Sequence, residues 1–432
     1  MPKSIDALPQ SGRWQLYVHK LRAWIPGDDE QPVRPYLMLV VSTDDGAFLA
    51  CEPGDTPEDA SGGNVVKEKP TAETVLRFLR RCMTHPRLMN TSKAGERRKP
   101  ARPKTIRFAD TTTASLHLGD ESKWAAETAC EYVEGCREGL KAIGVSDVSF
   151  APVPPQLVND IIRGQIEPNM APANQEWGTQ HLPGLMESVD GFTPAFGASL
   201  FGAAADFVRA APWEKIASRR PIQLAYRLVL REDVAMKITS YGSVVGDAES
   251  GSFGLSVHKT VEDAMRAYKM ENGDDGDDDA GAGEDGGQSC MFGSIFETPF
   301  EDIDAAEANA WDLAPMIGES DANAKYFPLF CKIAVEKGAD GAEDSLSVTR
   351  PAIIELQCFE LMMKAIVSLI KSGDLKSIGD DVRDGAGPWT VRADTMAGST
   401  SKRGDAEIER AEIELSVTLP PIESAAGGGA YV

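Results

Sequence analysis

Two short apolar runs, Pro35 to Ser42 and Ala47 to Glu52, flank Thr43-Asp44-Asp45-Gly46. An Asp-Gly pair between such runs is the chemistry of a tight hairpin turn, because both residues tolerate the left-handed backbone the turn requires. An antiparallel pair is therefore expected early in the chain, and its neighbours narrow what the chain can build. Trp14 to Trp24 reads as a strand before it. After a loop over Gly54 to Lys69, the residues Val75, Leu76, Leu79, Cys82 and Met83 recur at helical spacing from Thr71 onward. Met89 to Arg102 is a polar, basic loop, and Lys104 to Ala109 is a short strand ending at Asp110. A second amphipathic helix carries Trp124, Ala126, Ala129, Val133, Cys136, Leu140 and Ile143. Gly144 ends it, and Val148 to Ala151 forms another strand.

The predicted order is β, β-hairpin, α, β, α, β, an α+β domain over residues 12–151. Three strands followed by alternating helices and strands is the order of ribonuclease H-like folds, a likeness of topology that carries no activity with it. Residues 152–195 hold seven prolines between Pro152 and Pro194 and read as a connection, with a helix near Leu157 to Ile166. A second α+β domain is expected over 196–422. Its helices are Ser199 to Ala210, a segment through Tyr268 opened by the capping pair Thr260 and Asp263, and the strongly apolar Pro351 to Ile370. Its strands are Ala235 to Val245, Phe253 to His258, Ser289 to Glu297, Phe327 to Val335, Trp389 to Asp394 and Ile413 to Leu419. Residues 273–287 are almost entirely Gly, Asp, Glu and Ala. Such a run has no apolar area to offset the entropy of ordering, so a disordered linker is expected. The tail, 423–432, reads as loose.

The formal net charge is -23, so the surface as a whole repels phosphate backbones and anionic membranes. Nucleic acid is disfavoured as a general partner, a membrane is not expected, and a protein partner remains open. No apolar run approaches the roughly 20 residues of a spanning helix. The first thirteen residues lack the apolar core of a secretory signal. The seven cysteines are dispersed and mostly sit in apolar periodic segments. Buried free thiols in a reducing compartment are expected, with the cytoplasm as the location and the nucleus as an alternative.

Pro212-Trp213-Glu214, Tyr241-Gly242-Ser243-Val244-Val245-Gly246 and Phe253-Gly254-Leu255-Ser256-Val257-His258 form a pattern. It resembles a family of bacterial and microalgal proteins known only as domains of unknown function. Tyr326-Phe327-Pro328-Leu329-Phe330 and the Arg350-Pro351 helix with Glu355 and Glu360 resemble the family's later half. The stretches Arg34 to Glu52 and Arg102 to Asp110 resemble its partner domain. The resemblance implies a pairing of folds and no activity.

Asp110 is the candidate catalytic residue, since ribonuclease H-like enzymes keep a metal-binding carboxylate at the end of that strand. Two-metal chemistry needs several acids converging on ions roughly 4 Å apart. The first strand, Trp14 to Lys20, offers none, and only Asp160 or Glu167 stands on a later helix. A candidate binding surface lies in the local reversal of charge formed by Lys93, Arg97, Arg98, Lys99, Arg102 and Lys104, which continues to Arg107. Such a run could grip nucleic acid or an acidic partner, or serve as a solvated loop. No metal site or cofactor is expected. The five histidines are scattered, no Cys-x-x-Cys occurs, and no phosphate-binding glycine loop is found. The acidic run from Asp274 to Asp285 has Ala280 and Gly286 where a calcium loop needs glycine and glutamate. Two Ser-x-x-Lys strings, Ser368 to Lys371 and Ser399 to Lys402, lack the companion motifs that give them meaning. Three functions stay open: a non-catalytic macromolecule-binding protein, a ribonuclease H-like nucleic-acid enzyme, and a nucleic-acid-binding module using residues 93–107.

Overall fold

The computed structural model describes residues 4–26, 32–51, 65–88, 98–111, 121–150, 157–167, 182–216, 220–231, 234–247, 252–271, 288–294, 298–312, 326–336, 345–374, 389–396 and 410–419. The chain divides into two compact units, Met1–Glu176 and Trp177–Val432. Both mix helices with sheets, an α+β architecture.

Unit 1 is built on β1 (Arg13–Lys20), β2 (Tyr36–Ser42), β3 (Ala47–Cys51), β4 (Thr105–Thr111) and β5 (Asp147–Phe150). Helix α1 (Ala72–Thr84) lies between β3 and β4 in the chain, α2 (Glu121–Ala142) between β4 and β5, and α3 (Leu157–Ile166) after β5. The sheet runs β3-β2-β1-β4-β5, with Pro86–Leu88 added beside β3 and Val65–Val66 pairing with β2. β1 is antiparallel to β2 and parallel to β4, and β4 is parallel to β5. The expected hairpin is formed, with Ser42 opposite Ala47.

Alternation along β1 sorts its side chains between two layers. Trp14, Leu16 and Val18 join Val75, Phe78 and Leu79 of α1 and Val133, Cys136 and Leu140 of α2 on one face. Tyr17 joins Leu37, Leu39, Ala109 and Ile162 of α3 on the other. Thr71 caps α1, its hydroxyl accepting the Thr74 N–H at 3.2 Å. Gly144 ends the α2 segment at φ 79°, and Arg102 Nη1 lies 2.1 Å from where a Cβ would stand. The positive φ favours glycine there.

Unit 2 carries a wholly antiparallel sheet of eight strands. In chain order these are β6 (Ile222–Arg231), β7 (Val234–Asp247), β8 (Ser252–His258), β9 (Gln288–Ser294), β10 (Tyr326–Glu336), β11 (Ser345–Thr349), β12 (Trp389–Met396) and β13 (Arg410–Thr418). They lie in the order β11-β10-β9-β8-β7-β6-β13-β12. β6, β11 and a helix α6 (Phe300–Ala308) were not expected from the sequence. Among the described residues the other long helices are α4 (Pro194–Ala210), α5 (Val261–Glu271) and α7 (Ile353–Ser372), with single turns at Leu185–Ser188 and Pro212–Glu214. α7 packs on α4 and along β8 and β12. It is buried nearly throughout, from Leu356 through Phe359, Met362, Met363 and Ile366 to Leu369. Gly242 lets it close on β7: Met362 Cε lies 2.9 Å from where a Cβ would stand. An aromatic chain, Phe192, Trp311, Phe201, Phe330 and Phe359, links the helices to β10.

Pro351 stands one residue before the α7 N-cap, Ala352, near the first turn as expected. The Glu355 carboxylate accepts the Ala352 N–H at 2.8 Å and holds the helix start. The expected insert 273–287 and the tail 423–432 lie outside the described residues.

Candidate functional site

In unit 1 the sheet and the last helix bring two ionisable side chains together. His19, near the end of β1, is fully buried, and its Nε2 lies 3.6 Å from Oε1 of Glu167, the residue that follows α3. The Arg22 N–H donates to the same oxygen at 2.6 Å. Burial pushes the Glu167 carboxyl up. The nearby His19 imidazole, with the N–H and charge of Arg22, outweighs it and holds the group below the ordinary 4.5. The pair fastens α3 to the central strand, next to Tyr17, whose phenol burial pushes up to about 12.

Asp110 is the next-to-last residue of β4, which runs one residue further than expected. It stands opposite Val18 of β1, and Thr111 stands opposite His19. The Asp110 side chain lies outside the described residues. Asp160 is exposed on α3, and Glu167 is the acid brought to β1. The hairpin acids are engaged elsewhere, Asp44 with Arg13 at 3.2 Å and Asp45 with Arg98 at 2.6 Å. Among the described residues no three His, Cys, Asp or Glu side chains group as a metal site.

The basic stretch divides by use. Lys93 and Arg97 lie outside the described residues. Arg98 is tied to Asp45. Arg102 donates from Nη1 to the Ile143 carbonyl at 2.6 Å, satisfying a carbonyl exposed where the α2 segment ends. Lys99, Lys104 and Arg107 are exposed.

Unit 2 buries three further carboxylates, Asp302, Asp304 and Glu360. Glu360 of α7 is wholly buried; it accepts the Ser199 hydroxyl of α4 and the Lys364 ammonium at 2.6 Å. Lys364 also donates to Ser199 Oγ at 3.0 Å. A serine between an ammonium and a carboxylate has the parts of an activated nucleophile. This ammonium donates to both neighbours and has no lone pair to receive a proton, so the three groups act as a polar tie between α4 and α7. Of the two Ser-x-x-Lys strings, Lys371 faces Asp206 at 3.9 Å, and Ser399 to Lys402 lies outside the described residues.

Asp302 of α6 accepts Arg350 Nη2 at 2.5 Å and the Leu185 N–H at 2.8 Å. Arg350 spends its remaining fork on the Pro183 and Phe330 carbonyls. Burial pushes the Asp302 carboxyl up against the pull of Arg350. Four cysteines, Cys82, Cys136, Cys331 and Cys358, are buried free thiols. Burial raises Cys136 and Cys331 to about 11 and so removes the thiolate a nucleophile would need.

The sequence had put Glu167 forward only as a place on a later helix and had left His19 among scattered histidines. Nothing in spacing links two residues so far apart. For Glu360 and Lys364 a signal existed: two opposite charges one turn apart within the most apolar helix of the chain. Comparison of the chain with protein-family models, curated proteins and solved structures finds no match. Among the described residues no helix is long and apolar enough to cross a membrane.

Proposed function

We propose that the chain is a non-catalytic protein that binds another macromolecule, and that unit 1 is a ribonuclease H-like scaffold without metal chemistry. The likeness rests on the strand order β3-β2-β1-β4-β5, with the first three strands antiparallel and β4 and β5 parallel to β1. On such a scaffold the metals are held by acids from the first strand, the fourth strand and a later helix. One observation carries the argument: the later-helix acid, Glu167, accepts the Arg22 N–H at 2.6 Å and lies 3.6 Å from His19 Nε2. β1 carries no acid that could bridge two ions, and the carboxylate brought to it, Glu167, is committed to the fold. The pairing of the two units supports kinship with the paired domains of unknown function, which brings no activity with it.

A protein partner suits the net charge of -23 better than a nucleic acid does. A cytoplasmic location, with the nucleus as an alternative, belongs to the same proposal. The test is electrophoretic retardation of single-stranded RNA, single-stranded DNA and duplex DNA at low salt. The expected result is no retardation. Retardation lost on Lys99→Glu with Lys104→Glu, and weakening steeply with salt, would instead favour a nucleic-acid-binding module using the basic stretch.

A further inference from the structure

One end of the unit 2 sheet is a strand built to meet its own copy. β12, Trp389-Thr390-Val391-Arg392-Ala393-Asp394-Thr395-Met396, pairs with β13 along all eight residues on one side. On its other side the sheet ends, and among the described residues no strand lies there. Natural edges usually carry charge, proline or a bulge that blocks further pairing. β12 has no proline, its register with β13 is unbroken, and its two charges, Arg392 and Asp394, are of opposite sign, so an antiparallel copy can pair them. Val391 and Ala393 are buried on the side where α7 packs, whereas Thr390 and Arg392 are exposed.

We infer that β12 pairs antiparallel with β12 of a second copy, about a two-fold axis at Ala393. In an antiparallel pair, directly opposite residues share a face. With the axis at Ala393, Arg392 stands opposite Asp394 of the second copy, and the symmetry makes that contact twice. Val391 stands opposite Thr395 of the second copy. Slipping the axis to Arg392 or to Asp394 sets Arg opposite Arg or Asp opposite Asp. Slipping it by half a residue sets the buried face against the exposed one. The two charges therefore select one register and penalise its neighbours. The other end strand, β11, is Ser345-Leu346-Ser347-Val348-Thr349 and holds no charge that could select a register. The dimer joins two eight-stranded sheets into one, with α7 on the same face in both copies.

Sedimentation velocity of the full chain over a concentration series, at moderate salt so that the overall charge is screened, measures the association. A concentration-dependent dimer is expected. Arg392→Asp alone and Asp394→Arg alone each set like charges opposite one another, and each weakens the dimer roughly tenfold. The double exchange, Arg392→Asp with Asp394→Arg, restores it to within a few-fold of the wild type. Circular dichroism verifies that each variant is folded. Hydrogen exchange on the wild type needs no variant: the β12 amides gain protection as concentration rises. A chain that stays monomeric throughout, as it would if β12 received a strand of another protein, overturns the inference. So does a dimer indifferent to both single reversals, or a double exchange that fails to restore it.

Discussion

Both units bury carboxylates where a helix meets its neighbours, yet they secure them differently. In unit 1, Glu167 is held by an imidazole on the central strand and by one backbone N–H. In unit 2, Asp302 is held by a guanidinium that also binds two carbonyls, and Glu360 by an ammonium and a hydroxyl. The outcomes diverge. The Glu167 carboxyl is held below its ordinary range, and that of Asp302 is pushed above it. A buried acid near the central strand of a sheet is thus no sign of chemistry in itself. What it donates to, accepts from and anchors decides its role.

Breaking the unit 2 arrangement should cost most. Arg350→Ala leaves Asp302 buried beside no cation and strips two carbonyls of their donor. A loss of about 3–5 kcal/mol is expected in the urea transition of unit 2. Leu361→Ala empties a site that is 1% exposed on α7 and should cost about 2–5 kcal/mol, which sets the scale of pure packing against that of charge. An unchanged midpoint would show that α7 is not core. Glu167→Gln keeps the shape of the unit 1 pair but removes its charge, for an expected loss of about 1–3 kcal/mol at neutral pH.

The pH dependence sharpens the contrast. Because the Glu167 pKa is depressed, its contribution is present above the ordinary 4.5 and is lost as pH falls through the folded value. Glu167→Gln should therefore flatten the acid slope of unit 1 and match the wild type once the pH has fallen below the folded value. Asp302 has the opposite sign: its burial penalty is relieved as pH falls from its raised value toward the ordinary 3.8. Acid titration followed by hydrogen exchange should then show unit 1 opening before unit 2. Smallest of all, Ser199→Ala removes one member of the Glu360 tie and should cost about 0.5–1.5 kcal/mol by the same urea measurement.

Local signals made much of this fold legible. The Asp-Gly turn, the helical spacing from Val75 to Met83, Gly144 and the Thr260 cap each act within a few residues, and each element they mark is present. Helix α6 was hidden for a physical reason. Asp302 and Asp304 occupy buried positions, so its inner face does not read as apolar, and the cation that accommodates Asp302 stands 48 residues on. β6 has no such excuse, since Ile222, Leu224, Tyr226 and Leu228 alternate plainly. The His19–Glu167 pair could not be read, because its two members are joined only by the way α3 returns to β1.

The central claim is that Glu167 serves the fold of unit 1 and not a metal site. It is tested most directly by incubating the wild type and Asp110→Asn with RNA, DNA and RNA–DNA hybrid, in magnesium and in manganese, and measuring cleavage. Without an acid on β1 and with Glu167 accepting the Arg22 N–H beside His19, ions would lack a bridging ligand and could not activate water or stabilise the leaving oxygen. Both proteins should remain at background on every substrate. Robust cleavage by the wild type that Asp110→Asn abolishes would contradict the account.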